Sequence, residues 1–289
     1  MCASAPLFEN PVSIFPYARW ARQMSGLTKR YRENVPIPHV LLEDFLDDET
    51  ARRAMQEFPT PSTQAWTHYE HQNENKLGMT ERGAFPPSLG LVVDELNSPA
   101  LADWLSDLTG IAGLLPDPAL EGAGLHQSVC GGFLNVHTDF SHHHYRKNWR
   151  RRINLILYLN DGWREEWGGA IELWDKQMHH CAAKYPPFFN HALIFNTDEQ
   201  SFHGFPEPLT CPPNVSRKSL ALYYYTAEDG SRTAIRSTDY RSRPSDGFRK
   251  SILIWLDKQA VNLYSKAKAR LGFSDRFASR VLALLSKRK

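Results

Sequence analysis

The residues of this sequence best suited to metal chemistry are His137 and Asp139, which stand two positions apart near the end of an apolar run. In an extended chain, residues i and i+2 point to the same face of a strand. One imidazole nitrogen and one carboxylate oxygen can therefore bind a single metal ion. A distant second histidine would complete a 2-His-1-carboxylate triad, which leaves coordination positions open for small ligands and suits non-haem Fe(II).

His203 is the best candidate for the third ligand. It follows a predicted strand over residues 192–196, so it can lie at the rim of the same sheet, and Gly204 would allow close approach to an occupied site. A histidine of the run 142–144 stays open as an alternative third ligand. This run lies close to Asp139 in the sequence, however, whereas a distant histidine is expected, and it resembles a solvated loop. His179 and His180 precede Cys181 and could suggest a second metal site. Because neighbouring strand residues face opposite ways, a surface loop is the favoured interpretation there.

A segment fourteen residues after His203 carries an arginine and a serine on one face. Arg217 and Ser219 alternate with Lys218, and Tyr223 shares their face. A guanidinium binds a carboxylate through two parallel N–H bonds, and a buried one without a counter-charge would be costly. An interior Arg217 therefore implies an anionic ligand. Two alternatives remain: Arg217 on the surface of an edge strand, and Lys218 as the binding cation.

The elements that must position these residues fall into two blocks. Helical spacing and start signals predict helices over residues 19–32, 47–55, 87–97 and 100–108, after or around one extended segment at 35–42. Residues 59–90 are polar and broken by prolines, which predicts irregular structure with at most one strand. From about Gly122 short β-rich runs follow with no helices between them, which favours an antiparallel sandwich or small barrel. These runs are 125–129, 133–137, 152–158, 170–173, 192–195 and 219–225.

Composition predicts a folded, soluble protein. The chain has 289 residues, of which 42% are hydrophobic and 12% aromatic, enough for a sizeable core. No apolar run approaches the ~20 residues of a spanning helix, and the first residues lack a secretory signal, so we expect a cytoplasmic location. The four cysteines show no CxxC spacing and are expected to be reduced thiols.

The charge is divided unevenly along the chain. Residues 230–289 hold 15 Lys/Arg and 4 Asp/Glu, whereas the formal net charge of the whole chain is only +2. We expect three regions: a helical support at 1–121, a β core at 122–229 and a basic tail at 230–289. Within the tail, spacing predicts a helix over 248–271 and a second from Ser274 to Leu285. The tail could pack on the barrel, support a dimer or contact a membrane surface, and no nucleic-acid partner is indicated.

The order of these motifs resembles the Fe(II)/2-oxoglutarate-dependent oxygenases, in particular the prolyl 4-hydroxylase-like branch. An HxD pair, a histidine sixty-six residues after its first member and an RxS strand occur in the family's order. The segments at 152–163 and 166–174 look like the branch's "YLN…W" and "GG.L.L" motifs, and the resemblance covers roughly residues 35–228. The spacing from His203 to Arg217 is longer than in many members, which we interpret as a loop insertion.

The resemblance implies a fold, a reaction and roles for residues. The fold would be α+β with a mainly β core: a double-stranded β-helix, or jelly-roll/cupin-like barrel, with flanking N-terminal helices and a C-terminal helical extension. His137, Asp139 and His203 would bind Fe(II), and Arg217 would bind 2-oxoglutarate with help from Ser219 and Tyr158, although Tyr158 could be merely structural. O2 would be the oxidant, succinate and CO2 would be released, and ascorbate could support turnover.

The substrate is less defined than the cosubstrate. The branch hydroxylates peptidyl proline, free amino acids and other small molecules, so a protein side chain or a small metabolite is expected. Candidates for the substrate wall lie on or beside the core strands: Gln127, Asn135, Asn154, Trp174 and Tyr223. No catalytic residue beyond the metal ligands is expected. The rival interpretations are a non-catalytic metal-binding barrel used for recognition and a cupin-like metalloenzyme that does not use 2-oxoglutarate.

Overall fold

A computed structural model of the protein describes residues 14–229 and 235–271, with side chains described as far as residue 260. Within these residues it contains six α-helices and thirteen strands. The helices are α1 (Tyr17–Ala21), α2 (Met24–Glu33), α3 (Asp48–Gln56), α4 (Pro87–Leu96), α5 (Pro99–Thr109) and α6 (Gly247–Leu271). The strands are β1 (His39–Leu42), β2 (Thr67–His71), β3 (Glu74–Met79), β4 (Leu115–Pro116), β5 (Gly124–Ser128), β6 (Phe133–Thr138), β7 (Trp149–Tyr158), β8 (Ile171–Trp174), β9 (Cys181–Tyr185), β10 (His191–Asn196), β11 (His203–Phe205), β12 (Arg217–Ala227) and β13 (Asp239–Tyr240).

The strands form one curled antiparallel sheet that closes almost into a barrel. Its order is β1-β10-β7-β12-β5-β3-β6-β11-β8-β9, with β2 on β3, β4 on β12 and β13 on β6. The join between β3 and β6 brings the two halves of the sheet face to face. This architecture confirms the predicted jelly-roll barrel with flanking helices.

The main hydrophobic core lies between the helices and the outer face of the larger half of the sheet. Leu155 on β7 and Leu222 on β12 are completely buried there against residues such as Leu89 of α4 and Leu105 of α5. Side chains alternate along a strand, so when the outer face of β7 and β12 packs on the helices, the residues between point to the interior of the barrel. Truncating one of these leucines to alanine would cost about 2–5 kcal/mol of stability.

The predicted helix signals are confirmed at α3 and α5. The Asp47 carboxylate accepts hydrogen bonds from the backbone N–H groups of Glu49 and Thr50, which begins α3. Ser98 caps α5 in the same way, and α5 ends at Gly110 in the left-handed conformation with φ +76°. The predicted helix at 19–32 is divided into α1 and α2.

The expectation of irregular structure over residues 59–90 was wrong for residues 67–79. Strands β2 and β3 form a hairpin there, with His71 paired to Glu74 across the turn. The hairpin has no apolar alternation because its residues that line the cavity are the polar side chains of Tyr69, Glu74 and Lys76. Hydrophobic periodicity therefore could not reveal it. The short strands β4, β9, β11 and β13 were also missed.

The carboxy-terminal segment is helical as predicted, since α6 covers Gly247–Leu271. Its buried contact is Ile254, at 1% exposure, whereas Ile252, Trp255 and Leu256 of the predicted apolar stripe are exposed. Self-association or membrane-surface contact through this stripe stays a prediction, as do the three domain boundaries. The second predicted helix lies outside the described residues. In the described part of the chain, no helix is long and apolar enough to cross a membrane.

Candidate metal centre and cosubstrate cavity

Two neighbouring strands and the residues beside them bring the predicted metal ligands together. His137 on β6 pairs directly with His203 on β11, and Asp139 follows β6 by one residue. The Nε2 atom of His137 lies 3.6 Å from Asp139 Oδ1, and Nε2 of His203 lies 3.5 Å from Asp139 Oδ2. The three candidate ligand atoms all lie within 4.8 Å of one another. His142 to His144 do not belong to this group.

Backbone carbonyls fix both histidine rings in the form that binds a metal. His137 Nδ1 lies 2.9 Å from the carbonyl of Asn135, and His203 Nδ1 lies 2.9 Å from that of Ser201. Each Nδ1–H therefore donates to a carbonyl and leaves the Nε2 lone pair directed at the shared position. Burial lowers the pKa of His203 to about 4, although the charge of Asp139 opposes it, so this ring is neutral near pH 7. Two imidazoles and one carboxylate fit Fe(II).

Asp139 is held as a carboxylate by two residues of β7. Its Oδ2 lies 3.1 Å from Nη2 of Arg151 and accepts a hydrogen bond of 2.8 Å from Nδ2 of Asn154. Burial would raise the pKa of Asp139, but the charge of Arg151, with contributions from both histidines, holds it well below its usual range. The carboxylate is therefore ionised and oriented before any metal binds.

Arg151 is a site residue that the sequence did not reveal. The run Arg150 to Arg152 precedes Asn154, and simple alternation would place Arg151 and Asn154 on opposite faces. On β12, however, Tyr224 pairs with Ile153 and Tyr225 pairs with Arg151, so Arg152 is an extra residue in the ladder. This bulge rotates Arg151 onto the cavity face, where it bonds Asn154 and stacks on Tyr223 at 3.3 Å.

Arg217 lies on the floor of the same barrel and is almost completely buried, at 5% exposure. Its Nε donates to the carbonyl of Gly169 at 2.8 Å, and Nη2 reaches the Tyr158 hydroxyl at 3.4 Å. No carboxylate of the described residues forms an ion pair with it. Burial lowers the pKa of Arg217, partly opposed by Tyr158, yet a guanidinium stays charged. The alternative of a surface arginine was therefore wrong.

The glycine pair before β8 makes room for this arginine. Gly169 has φ +76°, and a Cβ atom there would lie 3.0 Å from Cδ of Arg217 and 2.7 Å from a methyl carbon of Leu209. Leu209 belongs to the long connection between His203 and Arg217. That connection packs around Trp163 as a small separate cluster. Gly204 lines the cavity beside His203, and its missing side chain also allows close contact with the β6 backbone.

The ligand trio and Arg217 open into one cavity of about 270 Å³. Ser219, Asn154 and Tyr223, all predicted site residues, line it, whereas Tyr158 lies behind Arg217. The other wall residues fall into an apolar group and a polar group. The apolar group includes Leu134, Ile156, Ile171 and Phe205, and the polar group includes Tyr69, Glu74, Lys76, His126, Arg151 and Tyr240.

The structure does not bring the other predicted substrate residues to this cavity. Gln127 follows His126 and therefore faces away, where its Nε2 donates to Ser216 Oγ. Asn135 donates to the β2–β3 turn, and Trp174 donates to Glu172. Each of these three residues is buried outside the cavity and donates a hydrogen bond there.

The polar wall residues were missed for different reasons. Glu74 and Lys76 are two residues apart and share one face of β3, but that strand was not predicted. Tyr240 comes from β13 in the tail, more than one hundred residues after His137, and its ring lies 5.4 Å from the His137 ring. His126 was overlooked although alternation along β5 places it beside Ser219.

The remaining histidines take structural positions. His142 and His143 are buried rather than in a solvated loop, and His143 lies between Asp117 and Glu121. His179 and His180 form an exposed turn around Asp175, as expected. In the part of the chain that the structure describes, His137, Asp139 and His203 are the one group of this kind that could hold a metal ion. Cys130, Cys181 and Cys211 are unpaired thiols, and Cys2 lies outside the described residues.

Residues 123–225, which contain the whole ligand trio and Arg217, match the family model of the 2OG-Fe(II) oxygenase superfamily. The match covers about a third of the chain and coincides with the part of the fold that carries the candidate site. Solved prolyl hydroxylases have a similar fold. One from Trichoplax adhaerens, in complex with a hypoxia inducible factor peptide fragment, is 14% identical with a TM-score of 0.55, covering 75% of this chain and 94% of that one.

A prolyl 4-hydroxylase structure from Phytophthora capsici gives a TM-score of 0.54 at 16% identity, covering 86% of this chain and 75% of that one. At these identities the similarity shows the oxygenase fold alone. No curated protein sequence matches the chain. The predicted resemblance to the prolyl 4-hydroxylase-like oxygenases is confirmed by the family match together with these folds.

Proposed function

We propose that this protein is an Fe(II)- and 2-oxoglutarate-dependent oxygenase that hydroxylates a C–H bond and releases succinate and CO2. The observation that carries the proposal is the buried Arg217, which has no carboxylate partner among the described residues and opens into the cavity of the ligand trio. An uncompensated guanidinium in such a place is costly unless an anion binds it. A dicarboxylate that also reaches the metal fits this arrangement.

His137, Asp139 and His203 would bind the metal. When bound, Fe(II) would supply the redox chemistry that couples the oxidation of 2-oxoglutarate by O2 to the oxidation of the substrate. The chain would hold the ligand atoms in place. The carbonyls of Asn135 and Ser201 orient the two imidazoles, and Arg151 with Asn154 orients the carboxylate.

Arg217 would bind the distal carboxylate of 2-oxoglutarate by a charge-assisted, two-pronged hydrogen bond. Ser219 lies two residues along the same strand and offers a hydroxyl to that carboxylate. Tyr158 pairs with Ser219 across β7 and β12 and keeps the guanidinium oriented. The apolar walls at Ile156, Ile171 and Phe205 would exclude water around the carbon chain, which strengthens these electrostatic contacts.

Anaerobic Fe(II) titration in the presence of 2-oxoglutarate tests the assignment. We expect a weak visible charge-transfer band from the parent protein and a loss of that band in Arg217→Met. Arg164→Met is a matched control, because Arg164 is an exposed arginine with a side chain 67% exposed. An Arg217→Met protein that kept the parent affinity for 2-oxoglutarate would refute the proposal. Succinate release from the parent protein measures turnover. We expect it to require O2 and to be sustained by ascorbate.

The substrate of the proposed reaction is a protein side chain, such as peptidyl proline, or a small metabolite. The similar prolyl hydroxylase folds support the first option at the level of fold, and the modest cavity volume supports the second. Succinate release across peptide and metabolite pools would distinguish them, since stimulation by one pool identifies the substrate class.

A further inference from the structure

The wall formed by β2 and β3 carries a second cation, Lys76, that the roles above do not use. Its side chain is 20% exposed and lines the same cavity as the metal ligands. An ammonium has three N–H donors. Glu74 Oε2, at 2.9 Å from Nζ, accepts one of them. The remaining donor capacity is available to a molecule in the cavity.

Lys76 is fixed in place by a row of alternating charges that begins on α6. Asp257 of α6 lies 2.8 Å from His71 Nδ1, and His71 Nε2 lies 2.9 Å from Glu74 Oε1. Burial alone would lower the pKa of His71, but its bonds to Asp257 and Glu74 raise it to about 9. The Tyr240 hydroxyl also bonds Glu74. The Glu74 carboxylate is therefore fully used by the protein, and the row ends in a cation at the cavity.

Lys76 and Arg217 lie on different strands of the cavity wall, and we call these two parts of the wall the Lys76 end and the Arg217 end. They stand on β3 and β12 with β5 between them, so their backbones are separated by two strand spacings, roughly 10 Å. The charges of both cations add to burial in lowering the pKa of His126, the cavity residue on β5. Lys76 interacts with Tyr69 and Tyr223, whereas Arg217 contacts Tyr158 and Phe205. One ligand carboxylate at Arg217 thus leaves Lys76 accessible to a second molecule.

The cavity favours a small second molecule. Its volume of about 270 Å³ must hold 2-oxoglutarate as well, and drug-sized ligands occupy about 300–1,000 Å³ alone. A carboxylate and an ammonium attract each other as opposite full charges, whereas a neutral amide carbonyl offers the ammonium only the partial charge of its oxygen. A neutral prolyl peptide offers only the weaker partner.

Resting on the function proposed above, we infer that the primary substrate is a free carboxylic acid of about amino-acid size and that Lys76 binds its carboxylate. In this arrangement Arg217 and Lys76 each bind one acid, and the metal lies within reach of both. Asp257, His71 and Glu74 act as positioning residues for Lys76.

Isothermal titration calorimetry on anaerobic protein loaded with Fe(II) and saturating 2-oxoglutarate tests the inference. The probes are two pairs that differ only in the carboxylate: L-proline with L-prolinamide, and acetate with acetamide. We expect each acid to bind at least about tenfold more tightly than its amide, in keeping with one charge-assisted bond. Lys76→Met should abolish this preference, and Lys76→Arg should keep part of it. The affinity of Lys76→Met for 2-oxoglutarate should stay within about twofold of the parent.

Three results would overturn the inference: equal affinity for acid and amide in the parent protein, no binding of either acid at about 50 mM, or a Lys76→Met protein that loses 2-oxoglutarate binding and so assigns Lys76 to the cosubstrate. If Lys76→Met does not fold, the acid and amide pairs on the parent and on Lys76→Arg still decide.

A separate arm distinguishes this failure from failure of the proposed function. The acid and amide pairs are titrated into metal-free Arg217→Met, where neither iron nor the Arg217 guanidinium can bind them. A preference for acids there, lost in the Lys76→Met, Arg217→Met double variant, supports the Lys76 site by itself. Equal binding there opposes it. If the parent protein does not bind 2-oxoglutarate, that result refutes only the proposed cosubstrate.

Discussion

The two cationic ends of the cavity are built in opposite ways. At one end, Arg217 lies on a central strand among aromatic rings and has no carboxylate partner in the described chain. At the other end, Lys76 is held by Glu74 in a row of charges that draws on the hairpin and on α6. Arg217 therefore offers a ligand its full positive charge. The charge of Lys76 is already partly neutralised by Glu74, which also fixes the direction of the Lys76 ammonium group. We therefore expect Arg217 to determine affinity and Lys76 to determine selectivity.

The largest effect should come from removing the centre that both ends share. In His203→Ala the metal loses one of three ligands, and we expect Fe(II) affinity to fall by more than the roughly 10–100-fold that loss of a supporting residue costs. Succinate release should fall to background. The control is His179→Ala, because His179 is exposed and lies outside the site. Equal Fe(II) affinities of the two variants, measured by anaerobic equilibrium dialysis, would contradict the assignment of His203.

The next effect distinguishes the two ends directly. Arg217→Met should weaken 2-oxoglutarate binding by about 2–5 kcal/mol, since it removes one partner of a buried charge pair. Lys76→Met should leave that affinity nearly unchanged. Calorimetric titration of 2-oxoglutarate into the two Fe(II)-loaded, anaerobic variants measures the contrast. Similar losses in both variants would remove the distinction between the ends.

A smaller effect is expected from the support of Asp139. Asn154→Ala removes the 2.8 Å hydrogen bond to Asp139 Oδ2 and the bond that Arg151 Nε donates to Asn154 Oδ1, but it keeps the Arg151 guanidinium itself. We expect Fe(II) affinity to fall by about tenfold, with little change in 2-oxoglutarate affinity once iron saturates the protein. Asn148→Ala, at an exposed position, is the control. Unchanged iron affinity in Asn154→Ala would mean that Arg151 alone holds the carboxylate.

The smallest effect is on stability and depends on pH. The pKa of His71 in the folded protein is raised to about 9, above the ordinary value of 6.5, so protonated His71 stabilises the fold. This contribution is full below about pH 6.5 and is lost as pH rises through about 9. We expect His71→Gln to be less stable than the parent by about 1–3 kcal/mol at pH 6, with the difference shrinking towards pH 9. Urea unfolding at several pH values measures it, and a pH-independent difference would argue against a charged His71.

The same contrast explains which parts could be predicted from the sequence. The Arg217 end rests on β7 and β12, where apolar alternation fixes the face of each residue, so Arg217 and Ser219 were assigned to one interior face. His137 and Asp139 were paired by the same periodicity. The ligand His203 lies on a strand of only three residues, and its choice depended on order along the chain.

The Lys76 end could not be found in this way. Its hairpin presents polar side chains to the cavity, so the local sequence pattern resembles that of a loop. Arg151 was missed because a single bulge at Arg152 brings it to the cavity face, and no periodicity reveals such a bulge. Tyr240 and Asp257 reach the site only through tertiary contacts of the tail. Gln127 and Trp174 were chosen because they lie on or beside the core strands, and strand alternation turns Gln127 away from the cavity.

The bond from Asp257 to His71 also bears on where the protein can be shortened. The family match ends at residue 225, yet Tyr240 and Asp257 lie beyond it and bond the cavity wall. A recombinant fragment cut at the end of the matched region would keep every metal ligand and Arg217 while leaving His71 and Glu74 short of partners. Such a fragment would report on iron and 2-oxoglutarate and would mislead a substrate screen, so screening should use protein that extends through α6.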